Sequence, residues 1–151
     1  MLISLVDNTH LFSEYVLKID EEEGLLFTHE ICIEEAVEVL SRDYEWRKEE
    51  AQKEVKKFLD EHHIDIIPRD RSNSDTVRWM FQECKKANID FHPPDCFIIA
   101  DFYKNGINKS YSNNNHFLDA CRLFEMDTSK LKTEEKEIER QMREIFTRRR
   151  K

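Results

Sequence analysis

Glycine is nearly absent: the chain has two in 151 residues. That excludes the Gly-rich loops that cradle phosphates and dinucleotides, because their backbone must approach the ligand without side chains in the way. Proline is scarce as well, with three residues, and no linker-like stretch, low-complexity segment or internal repeat divides the chain. The four cysteines (Cys32, Cys84, Cys96, Cys121) include no CxxC pair. This argues against a zinc ribbon and for a reduced, cytoplasmic setting. No apolar run approaches the ~20 residues that a membrane-spanning helix needs. The opening "MLISLV" has no basic region before it and reads as a strand rather than a signal sequence.

What is plentiful is charge. Charged residues make up 37% of the chain, well above the usual quarter. The net charge is −8 and is unevenly placed. From Thr128 onward nine Lys/Arg face five Glu, a net of +4, which leaves 15 basic and 27 acidic residues, or −12, in the first 127. So acidic a body does not hold nucleic acid by bulk charge. Any RNA or DNA contact requires metal ions, a local basic patch or the tail.

The hydrophobic pattern alternates between strand-like and helix-like periods. "LISLV" is a short apolar run ending at Asp7, as in a strand buried on both faces. Leu11, Phe12, Tyr15, Val16 and Ile19 then form a helical stripe. "GLLFT" reads as a second strand, followed by a helix with Ile33, Ala36, Val37 and Leu40 on one side and Glu34, Glu35 and Glu38 on the other. "YEWRKEEAQKEVKKFLDEHH" is a long amphipathic helix with Ala51, Val55, Phe58, Leu59 and His62 inward, and "IDII" is a third strand closed by Pro68. A helix is expected from about Ser74 to Ala87, burying Val77, Met80, Phe81 and Cys84. "PPDCFIIADFYKNG" is apolar nearly all round and reads as a buried helix, with its prolines in the first turn and Gly106 at its stop. "INKSYS" and "CRLFEM" are the last strand candidates. A charged helix with a thin stripe of Leu131, Ile138, Met142 and Ile145 is expected from Thr128 to the end. The alternation predicts a parallel sheet covered by helices on both faces.

Ligands of such sheets bind beyond the carboxyl ends of the strands. Asp7 falls there, Glu35 lies on the helix after the second strand with Glu34 and Glu38 beside it, and Asp95 opens the buried helix. At that position the helix dipole favours an ionised acid. Each has an ordinary reading too: Asp7 as a helix cap, Glu35 as a solvated face, Asp95 as a helix start. Taken together, they suit a hard divalent cation held by carboxylate oxygens. "EHH" (Glu61–His63), His29 and His92 lack metal-ligand spacing and read as ordinary side chains. A receiver-type signalling domain would need an acidic pair and a phosphate-accepting Asp that "LVDNTH" and "IDIIPRD" do not supply.

In this order and spacing the motifs resemble those of the PIN-domain ribonucleases, over about residues 1 to 127. "LVDNTHLF" resembles the family's opening strand, with Asp7 as first acid and Thr9 as its hydroxyl partner. "ICIEEAVEVL" matches the second motif through Glu35, and "HPPDCFIIA" the third through Asp95. "SYSNNNHF" lies where the family carries its fourth acidic segment, with Ser112, Asn114, His116 and Phe117 at the motif positions. Asparagine and histidine replace the two aspartates. The resemblance implies a three-layer α/β/α sandwich for residues 1–127; residues 128–151, outside it, read as a charged helix and basic tail. It further implies a Mg²⁺- or Mn²⁺-dependent endoribonuclease acting in toxin–antitoxin pairs (the VapC type) or in RNA processing. Asp7, Glu35 and Asp95 would be the metal ligands, and Asn114 a catalytic residue that offers a neutral oxygen. Thr9, Glu38, Ser112 and His116 would support them. Its expected partners are RNA, an antitoxin or other protein, and a second copy of the chain. The alternative is a PIN-like module that has lost catalysis and binds RNA or a protein partner. The ordinary reading of the asparagine run is a turn capping a helix that starts near Asn115.

Overall fold

A computed structural model describes residues 25–112 and 114–130. The expected first strand, the helix after it and most of the charged C-terminal helix lie outside these residues. The chain divides into two compact units, with the split between Ile66 and Ile67 and the second unit running to Lys132.

In the first unit, β1 (Leu26–His29) leads directly into α1 (Glu30–Asp43), and α2 (Lys48–Glu61) leads into β2 (Ile64–Ile67). β1 and β2 are hydrogen-bonded neighbours in a two-stranded sheet. Buried His29 caps α1, its Nδ1 accepting from the Ile31 amide at 3.1 Å. Ala36, Val37 and Leu40 of α1 and Ala51, Val55, Phe58 and Leu59 of α2 are buried, as the 3.6-residue period requires, and the two helices pack on each other. Trp46, in the connection between them, is buried as well.

The second unit opens with a 3₁₀ turn (Arg71–Asn73), followed by α3 (Ser74–Lys86) and α4 (Asp95–Lys104). Then come β3 (Lys109–Ser112), α5 (Asn115–Leu123) and β4 (Asp127–Lys130). β3 and β4 pair in parallel, Lys109 opposite Asp127 and Ser112 opposite Lys130. Parallel strands need a crossover connection, and α5, packed on both strands, supplies it. One core joins Met80 and Cys84 of α3, Phe91, Cys96 and Ile99 of the α4 region, and Ala120, Cys121, Phe124 and Met126.

The scarcity of glycine shows at the helix ends. Each of the five helices among the described residues is followed by a residue in the left-handed region: Glu45, His63, Asn88, Gly106 and Glu125, with φ between 51° and 73°. Only one of these positions has glycine. After α3, α4 and α5 the backbone closes in the same way, with Ile89 N donating to Cys84 O, Ile107 N to Phe102 O and Met126 N to Cys121 O.

The architecture is therefore α/β with short parallel strands, and the described strands form two two-stranded sheets. Four sequence expectations are corrected. "CRLFEM" is not a strand, because Cys121–Leu123 complete α5. Phe117, Leu118, Cys121 and Phe124 fall at helical spacing, and that period prevails. Thr128 does not begin a helix, since the backbone of Asp127–Lys130 is taken up by parallel pairing with β3. The prolines stand before α4 rather than within its first turn, with Pro94 as its N-cap. Phe81 is 48% exposed, because Phe91, from the α3–α4 connection, joins Met80 and Cys84 in the core instead.

Candidate functional site

The second unit carries the third and fourth candidate motifs. Asp95 is the first residue of α4 and is half-buried. Burial pushes its carboxyl pKa up, the opposite direction to the ionised acid that the sequence suggested at a helix start. No described residue donates a hydrogen bond to it. Its charge is among the lesser influences that push the Cys121 thiol on α5 up, after burial.

Ser112 ends β3 and its Oγ accepts from the Asn114 amide at 3.0 Å. Asn114 is the N-cap of α5, its Oδ1 accepting from the amides of His116 (3.0 Å) and Phe117 (3.3 Å). The asparagine run thus caps a helix that starts at Asn115, and the side-chain oxygen expected to face a metal is held by two backbone donors. His116 is exposed, with Nδ1 3.5 Å from Asp90 Oδ2, while His92 Nε2 is 4.0 Å from Asp90 Oδ1. One carboxylate therefore stands between two imidazoles beside the fourth motif.

Glu35 belongs to the first unit, where it is exposed on α1 with Glu34 and Glu38. Glu38 pairs with Arg42 one turn on, at 3.5 Å, both side chains being exposed. Asp7 and Thr9 lie outside the described residues. Among the described residues no three His, Cys, Asp or Glu side chains are grouped so as to hold a metal ion. Comparison with family models, with curated proteins and with solved structures gives no match.

Sequence reasoning missed Asp101. It is fully buried in α4, six residues after Asp95. Asn73 Nδ2 donates to Oδ1 at 2.8 Å, the Asp70 amide to Oδ2 at 3.3 Å, and Arg69 Nη1 lies 3.4 Å from Oδ1. The Arg69 guanidinium also lies 4.3 Å above the centre of the Phe97 ring. The one local signal was an acid inside "FIIADFY". Its partners come from "PRDRSN", about thirty residues earlier. Nearby thiols offer no nucleophile, since burial pushes Cys84 and Cys121 up to about 11 and so keeps them protonated at neutral pH.

Proposed function

We propose that the chain is a divalent-metal-dependent endoribonuclease of the PIN type. The observation that carries this reading is Asp95, a half-buried carboxylate whose charge is disfavoured by burial and to which no described residue donates. An acid kept in such a position calls for a compensating cation, and carboxylate oxygens suit Mg²⁺ or Mn²⁺. In this proposal β3, α5 and β4 are one βαβ unit of a central parallel sheet covered by helices on both faces. Asp7, Glu35 and Asp95 hold the ion through their oxygens. When bound, it supplies an acidified water for phosphodiester hydrolysis. Asp95 is carried by the first turn of α4. Thr9, Glu38, Ser112 and His116 support the ligands, and Asn114 stands where the fourth acid would. An antitoxin or other protein partner, a homodimer and a cytoplasmic setting belong to the same proposal. Among the described residues no helix is long and apolar enough to cross a membrane.

One observation favours a second reading, that of a module that binds RNA or a protein without cutting. The Asn114 Oδ1 is committed to capping α5. The deciding experiment is cleavage of a panel of structured and single-stranded RNAs with Mg²⁺ and with Mn²⁺, wild type beside Asp95→Asn. Metal-dependent cleavage lost in the variant supports the nuclease. Absence of cleavage by folded, partner-free protein with either ion transfers the assignment to the binding module.

A further inference from the structure

We infer that Asn105 is a deamidation site that the folded end of α4 holds closed, independently of the proposed activity. Glycine follows asparagine once in the chain, at Asn105–Gly106. In such a pair the glycine backbone nitrogen, once deprotonated, attacks the asparagine Cγ. A C–N bond forms, the Cγ–Nδ2 bond breaks, and Nδ2 leaves as ammonia with a proton taken from solvent. Water then opens the cyclic imide at either carbonyl, leaving an aspartyl or an isoaspartyl residue at position 105. Glycine favours the attack because no side chain shields its nitrogen. Asn105 and Gly106 are both exposed, so water and hydroxide reach them.

The fold opposes each part of that step. Asn105 is the C-cap of α4, with φ −92° and ψ 6°. That ψ sets the Gly106 nitrogen over the backbone nitrogen of Asn105 itself, whereas ring closure needs it on the side of Cβ. Asn105 Nδ2 donates to Asp101 O at 2.7 Å, which ties the side-chain amide back along the helix. The Gly106 amide, whose proton must be lost, donates to Tyr103 O at 3.2 Å. Ile107 N, closing on Phe102 O at 3.0 Å, holds the turn from the other side. The reaction therefore requires these bonds to open together, as in local unfolding of a helix end. It is also one-way. A carboxylate at position 105 has no proton to give to Asp101 O and adds negative charge at the C-terminal end of the helix. An isoaspartyl residue lengthens the main chain by a carbon between α4 and Ile107, which displaces the closing bond to Phe102. Each opening that reacts leaves an end that closes less well.

The test follows Asn105 in the full chain at mildly alkaline pH, folded and in urea beyond the unfolding transition, by peptide mass spectrometry with detection of isoaspartate. In urea Asn105 should convert about tenfold faster than any other asparagine, and Gly106→Ala should slow it about tenfold. In the folded protein conversion should be at least about tenfold slower than in urea. Equal rates folded and unfolded overturn the guard. A rate in urea no greater than that of the other asparagines, or unchanged by Gly106→Ala, overturns the site. Asn105→Asp, which stands for one product, should melt below wild type and exchange its Ile107 amide about tenfold faster. Wild-type melting and exchange in this variant overturn the one-way step. Should the variant not fold, deamidated wild type, separated by its added charge and returned to native buffer, gives the same reading.

Discussion

The two units treat their acids in opposite ways. In the first, the carboxylates of Glu34, Glu35 and Glu38 stand in solvent on the outer side of α1, over a helix pair whose buried side chains follow the helical period. In the second, two acids of a single helix are drawn toward the core. Asp101 has three donors within 3.4 Å, whereas Asp95 is half-buried with no donor among the described residues. A buried carboxylate is tolerated when its charge is compensated; Asp101 has that compensation within its own unit, and for Asp95 the proposed metal ion would supply it.

The sharpest way to break this contrast is Asp101→Ala. Leaving Arg69 and Asn73 without their acceptor should lower stability by about 3–5 kcal/mol, read from urea unfolding. Glu34→Ala, on the solvated face of the first unit, should move it by no more than about 0.5 kcal/mol. Equal losses at the two positions would end the distinction between the units. At the fourth motif, Asn114→Ala should cost about 1 kcal/mol through the lost cap. Asn114→Asp keeps the cap and adds a negative charge at the N-terminus of α5. If the nuclease reading holds, it should also tighten Mn²⁺ binding, measured by calorimetry. Gly106→Ala should cost about 1 kcal/mol because φ is +73° there, although no neighbouring atom would clash.

The smallest expected effect concerns Asp95. Its carboxyl titrates higher folded than unfolded, so the folded state holds that proton more tightly. The cost is absent below the unfolded carboxylate range and grows as pH rises through the folded pKa. Asp95→Asn should therefore raise Tm slightly at neutral pH in chelator, the gain fading as pH falls below about 4. Added Mn²⁺ should raise the wild-type Tm and leave that of Asp95→Asn unchanged. A variant less stable than wild type at neutral pH in chelator would show that Asp95 is compensated after all.

Much of the fold was legible locally. The apolar spacing of Ala36, Val37 and Leu40, the "PPD" before α4 and Gly106 after it each mark an element from within a few residues. The candidate site was legible only as motifs in order. Asp95 and the capping role of Asn114 follow from neighbours in the chain. The relation of Asp101 to Arg69 and Asn73 does not, because no local period links residues some thirty positions apart. The strand at Asp127–Lys130 was hidden for the same reason, since "DTSK" has little preference of its own and takes its conformation from β3.

The sequence by itself determined where α1, α3 and α4 form, where α4 stops and how charge is divided between the halves of the chain. These are consequences of spacing, backbone preference and composition. Tertiary structure alone decided which acids are desolvated, which of them find donors, and which aromatics remain at the surface. Those outcomes depend on the distances and burial that arise when segments remote in the chain pack together.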